Sequence, residues 1–128
     1  MPRKRLLMAY EIVRSDDVER DLALLFDHLV ESYLAFGDDL TEAFERASVR
    51  IRSINKDIEL LGQAPFQGTL SPHLLPGLRN VTKNRAIFYF EVLEDHQQVK
   101  LLAVFFGSQD HQRHILKRFL TRNINEKG

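Results

Sequence analysis

The chain has 128 residues, 44% of them hydrophobic, with nine Phe, no Cys and a formal net charge of zero. That length has room for one domain with one sizeable core, and the lack of cysteine excludes disulfides and thiolate metal sites and fits a reducing, cytoplasmic compartment. No run reaches the roughly 18 apolar residues of a membrane span, and the apolar stretch near the start is too short for a signal peptide.

The zero net charge hides an asymmetry. From Glu11 to Glu45 eleven Asp/Glu stand against two Arg, and from Arg79 to Gly128 nine Lys/Arg stand against five Asp/Glu. An acidic half and a basic half predict a basic working surface with limited long-range pull on polyanions. Solvated helix faces account for the same charges equally well.

Residues 1–7 are a basic extension and residues 8–14 a first strand. Asp16-Asp17-Val18-Glu19 has the spacing of a capping box. The first helix is expected from about Asp17 to Ala35, because Val18, Leu22, Leu25, Phe26, Leu29 and Tyr33 recur at steps of three and four. Gly37 breaks the pattern, and Asp39-Leu40-Thr41-Glu42 repeats the capping signal. Leu40, Phe44, Ala47, Ile51, Ile54, Ile58 and Leu61 then predict a second helix, antiparallel to the first, with Gly62 as its C-cap.

Pro65, Gly68, Pro72, Pro76 and Gly77 mark residues 62–77 as a loop. Strands are expected at Leu78–Thr82, Arg85–Val92 and Val99–Phe106, joined by turns at Lys83-Asn84 and Glu94–Gln97. Ala86–Phe90 and Leu101–Phe106 are almost wholly apolar, as in strands covered on both faces. A last helix is expected from Asp110 to about Leu120, leaving residues 121–128 as a tail. The fold class is α+β in the order β-α-α-β-β-β-α, a helical hairpin packed on a small, mostly antiparallel sheet.

Several segments of this order resemble the RelE/ParE superfamily of bacterial toxins. Pro76-Gly77-Leu78-Arg79 is similar to the Pro-Gly-Leu-Arg that opens a strand in ParE-like members, and Ile87-Phe88-Tyr89 to their Ile-Phe-Tyr strand. Gly107-Ser108-Gln109-Asp110 resembles the end of a His-Gly-x-Arg/Gln-Asp segment, with Phe106 where His is common. The resemblance covers residues 8–120, and because members tend to begin near a position like Met8, it makes Met8 an alternative start.

The resemblance implies the toxin of a type II toxin–antitoxin pair of the plasmid-stabilisation kind. It implies a cognate antitoxin as partner, an oligomer with that antitoxin, no cofactor and no membrane. RelE-like toxins are ribosome-dependent mRNA endonucleases, often with a Tyr near the C-terminus, whereas ParE-like toxins poison DNA gyrase. This chain has no Tyr after Tyr89, and its Pro-Gly-Leu-Arg and Gly-x-Gln-Asp segments lean toward ParE. A non-toxic protein-binding module of the same fold is the reading from another class.

Attack of a ribose 2′-hydroxyl needs a base, an acid and cations around the phosphate. If the chain is a nuclease, Arg79, Arg85, His111, Arg113 and His114 are its candidates. As target-binding residues we expect Arg79, Lys83, Arg85, Gln109, Asp110 and Arg113. For Arg79, an ion pair with Asp38 or Asp39 is the structural alternative; for Asp110, the N-cap of the last helix. Tyr89 reads as core, its hydroxyl satisfied at a sheet edge. Leu34, Phe36, Leu74 and Leu75 are apolar residues left over for antitoxin contact. His111, His114 and Asp110 alone make a poor metal set, and none is expected.

Overall fold

The computed structural model describes residues 9–106 and 110–127, with side chains through residue 121. In chain order the elements are β1 (Glu11–Arg14), α1 (Asp16–Ala35), α2 (Leu40–Leu60), β2 (Thr69–Leu70), β3 (Leu78–Lys83), β4 (Ala86–Leu93), β5 (Gln98–Phe106) and α3 (His111–Lys127). The strands form one five-stranded sheet in the order β1-β5-β4-β3-β2. β3, β4 and β5 pair antiparallel as expected, while β1 pairs parallel to β5. Two features depart from the expected order. β2 pairs with β3 inside the predicted loop, and α3 continues to Lys127 instead of ending near Leu120. The predicted extension at residues 1–7 lies outside the described residues.

Alternation along β4 explains why that strand reads as a continuous apolar run. Ala86, Phe88 and Phe90 face one way, into a core with Val18, Leu22, Leu25, Ile54 and Ile58 of the helical hairpin. Ile87 and Tyr89 face the other way, into a second core with Leu78, Phe105 and Ile115 of α3. A strand buried on both faces has no polar side to display.

The two helix starts differ. Asp39 caps α2 through a full capping box, accepting from the Glu42 amide at 2.8 Å while the Glu42 carboxylate accepts from the Asp39 amide at 3.0 Å. The box expected at Asp16 does not form, because α1 already begins at Asp16 and Ser15 is its N-cap. The Ser15 hydroxyl donates to the Leu102 carbonyl instead. Within α2, Ala43 and Ala47 face α1 and allow close approach. Phe44 is thereby turned to the rim, where it meets Phe26 edge-on at 5.4 Å, and Leu40 is exposed.

Gly62 does not act as a left-handed cap. The chain leaves α2 through a short 3₁₀ turn at Leu61–Gln63, and the Gly62 carbonyl accepts the Tyr10 amide at 2.9 Å. A Cβ there would overlap the Tyr10 carbonyl. Gly68 is set in the same way against the Asn80 carbonyl, with φ +83°.

Asn84 and Arg85 form the β3–β4 turn with φ of +51° and +71°. Two central residues at positive φ are the geometry of the tight hairpin turn that prefers Asn-Gly. Arg85 therefore belongs to the turn and not to the strand, and a side chain held left-handed costs about 1–2 kcal/mol.

The least regular point of the sheet is its best secured. β1 pairs with β5 only as far as Leu101, and there β5 also bulges, the register against β4 shifting between Tyr89 and Phe90. Beyond that point the β5 edge needs other partners. Asp21, buried on α1, accepts the Val104 amide at 3.0 Å. Arg118 of α3 donates to the Leu102 carbonyl at 3.0 Å and to both Asp21 oxygens at 2.8 and 3.1 Å. Its Nε lies 3.5 Å from Asp17, and its guanidinium sits over the Phe105 ring. Burial alone lowers the Arg118 pKa, but the hydrogen bond and charge of Asp21, with the charge of Asp17, hold it above its ordinary value.

Two predictions follow from this packing. Asp21→Ala removes the acceptor of the Val104 amide and leaves Arg118 with only Asp17 as a carboxylate partner, and is expected to cost about 3–5 kcal/mol in denaturant unfolding. Asp21→Ala combined with Arg118→Ala should cost less than the two single changes added, and strict additivity would refute the coupling. Gly62→Ala is expected to cost about 1–3 kcal/mol, because β1 must shift away from the 3₁₀ turn; an unchanged midpoint would show that this contact does not constrain β1.

Candidate functional site

The sheet separates the candidate residues into two groups. On the α3 side, the Tyr89 hydroxyl and His111 Nδ1 share a hydrogen bond of 2.7 Å. Burial pushes the Tyr89 pKa up, so the phenol stays protonated and can donate to the Nδ1 of a neutral ring. This bond ties the start of α3 to the centre of β4; the hydroxyl is satisfied there and not at a sheet edge. His114 lies on Phe105, with 5.7 Å between ring centres. Asp110 precedes the helix and accepts weakly from the Arg113 amide at 3.4 Å, which makes it a capping residue. The Arg113 side chain is exposed.

The other candidate cations lie on the opposite side of the sheet. Val81 pairs with Phe88 and packs into the hairpin-side core, so Arg79 and Lys83, two residues away on either side, share that face. Arg79 pairs with neither Asp38 nor Asp39. Its Nη1 donates to the Phe66 carbonyl at 2.8 Å, and its guanidinium lies over the Phe66 ring. Asp38 is held by Arg46 at 2.8 Å, and Asp39 is the cap of α2. A base or acid on α3 and these strand cations thus have the sheet between them. Gln109 lies outside the described residues. Among the described residues, no group of three or more His, Asp or Glu is arranged to hold a metal ion.

Arg85 is one of the residues that line a groove of about 670 Å³, with His28, Tyr33, Phe36, Arg50 and Phe106. α2 secures the adjacent turn: Arg50 donates to the Asn84 carbonyl, and the Asn84 amide donates to Asp57 at 3.3 Å. Phe36, just past the end of α1, is 86% exposed. His28 packs edge-on against Phe106 with 4.9 Å between ring centres. A narrower cavity of about 250 Å³ shares His28 and Phe106 and continues along α1 past Leu24 to Asp21 and Arg118.

The four apolar residues singled out in the sequence do not form one surface. Leu34 and Phe36 are exposed at the end of α1, whereas Leu74 and Leu75 pack half-buried against the second core. Arg50, Asp21 and Arg118 were not singled out at all. For Asp21 and Arg118 a signal existed: each falls three residues after a core position, Val18 and Ile115, within an apolar stripe.

No protein-family model matches the sequence, and no curated protein matches it. Solved structures do. A structure of the chromosomal ParDE toxin–antitoxin system from P. aeruginosa is similar with a TM-score of 0.58 at 20% identity, over 77% of this chain and 96% of that one. The RelBE2 toxin–antitoxin complex from Mycobacterium tuberculosis gives 0.56 at 13% identity, over 80% and 97%. The E. coli toxin RelE in its free state gives 0.55 at 10% identity, over 87% and 97%. The helical hairpin, the mixed sheet and the helix that follows β5 are the fold of the RelE/ParE toxin superfamily, and this chain has that fold.

Proposed function

We propose that this chain is the toxin of a type II toxin–antitoxin pair and that it acts as ParE-like toxins do, by binding DNA gyrase and trapping its cleaved-DNA state. The fold supports the toxin reading, and the titles of two similar structures name toxin–antitoxin assemblies. The observation that carries the choice of mechanism is the division of the candidate residues. The histidines stand on α3, His111 engaged with Tyr89, while Arg79 and Lys83 project from the other face of the sheet. General acid–base catalysis on a phosphodiester needs those groups within hydrogen-bond reach of one phosphate. Zero net charge also suits a protein target better than a ribosomal site crowded with phosphates.

The second reading is a RelE-like ribosome-dependent endonuclease. It is favoured by His111, Arg113 and His114, which stand within one turn of α3. An inert binding module of the same fold is separated from both toxins by growth alone.

Induced expression without a partner is expected to arrest growth, with cleaved-DNA complexes accumulating in a supercoiled-plasmid assay with gyrase. His111→Ala with His114→Ala should keep most of that toxicity. Codon-specific mRNA cuts that vanish in the double variant, with gyrase unaffected, would make the chain an endonuclease; unimpaired growth would leave the binding module.

A further inference from the structure

The exposed faces of α1 and α3 carry matching patterns of opposite charge. On α1, Leu24, Asp27 and Glu31 follow one another at steps of three and four, so they form one stripe along the helix. On α3, read from its far end, Leu120, Lys117 and Arg113 repeat those steps with the charges reversed. All six side chains are exposed, Leu24 by 62% and Leu120 by 55%. Among the described residues the four charged side chains have no ion pair or hydrogen bond. Like charges one turn apart repel within each helix, so neither stripe serves the helix that carries it.

We propose that two copies of this chain pair through this face, α1 of each against α3 of the other. α1 and α3 flank one cleft and run along it in opposite senses: Arg20 shares one end with Lys117 and Thr121, and His28 shares the other with His114. A two-fold axis along that cleft exchanges the two helices and keeps their senses opposite. Leu24 then meets Leu120 of the other copy, Asp27 meets Lys117 and Glu31 meets Arg113, and symmetry makes each contact twice. Charge complementarity selects the occupant. A nucleic-acid strand laid on α3 would bring its phosphates beside the acidic stripe of α1. A second copy offers a basic stripe to the acidic one and an acidic stripe to the basic one, at the same spacing. With zero net charge, two copies also meet without overall repulsion. The inference stands apart from the toxin reading, since it invokes neither an antitoxin nor a target. Exposed ion pairs around a few leucines make a weak contact, so the dimer is expected in the micromolar range.

Sedimentation equilibrium of the full chain at tens of micromolar and low salt should show monomers and dimers in exchange, with salt shifting them toward monomer. Glu31→Arg and Arg113→Glu should each weaken association at least about tenfold, because each sets like charges together at two places. Mixing the two single variants, or combining both changes in one chain, should bring association back to within about threefold of the parent. These positions are exposed, so every variant should melt within about 2 °C of the parent, which separates lost pairing from lost folding. The inference is overturned if the chain stays monomeric under those conditions, if the single reversals leave association unchanged, or if neither the mixture nor the double variant regains it. An oligothymidine that binds through Arg113 and Lys117 while the chain stays monomeric would assign α3 to nucleic acid and overturn it equally.

Discussion

The structure depends on how the free end of β5 is satisfied. β1 is four residues long and β5 nine, so among the described residues about half of that β5 edge has no strand beside it, and a bulge interrupts the ladder at the same place. Ser15, Asp21 and Arg118 take over, binding the Leu102 carbonyl and the Val104 amide. A buried ion pair that serves only itself can often be replaced by apolar residues at little cost. This one cannot be replaced in that way, because its oxygens and nitrogens are also the partners of buried backbone groups. It joins residues 97 apart in sequence, holding the first helix and the last to the central sheet at once. It also blunts an edge that would otherwise invite pairing with another chain.

Much of the architecture was legible because the physics that makes it is local. The capping box at Asp39, the four–three spacing of Ile54 and Ile58, and the unbroken apolar runs of β4 and β5 each follow from a few neighbouring residues. The misses share the opposite property. Gly62 looked like a helix cap, yet its role is to admit the carbonyl of Tyr10, the residue before β1 and more than fifty positions earlier. β2 is two residues long and exists only because β3 lies beside it. The capping box read at Asp16 does not form, since Ser15 is the N-cap and gives its hydroxyl to the distant Leu102 carbonyl. Asp21 and Arg118 sat visibly inside apolar stripes, and only the fold shows that they answer each other.

The candidate site was legible as residues and illegible as a constellation. Arg79, Arg85, His111 and His114 were grouped by residue type, as the cations, acid and base that cleavage of a phosphodiester needs. Parity along the strands sorts them otherwise. Once the Asn84-Arg85 turn sets the register, Lys83 pairs with Ala86 and Arg79 with Phe90, both on the hairpin side, whereas Tyr89 faces α3, where His111 is its partner. A one-residue change of register would reverse every one of those assignments. The turn chemistry therefore decides which side of the sheet each charge occupies, and the strand sequence alone does not.

The two faces also differ in how completely they are finished. Under α3 the polar groups have partners: the Tyr89 hydroxyl has His111, Asp110 caps the helix, and Leu74 and Leu75 fill the margin of the second core. On the hairpin side the chain keeps features that cost stability, a largely exposed Phe36 and an arginine held left-handed at the turn. Stability alone would favour glycine after Asn84 and a polar residue after Ala35. On that side an exposed aromatic ring, a left-handed arginine and Arg50 stand around one groove.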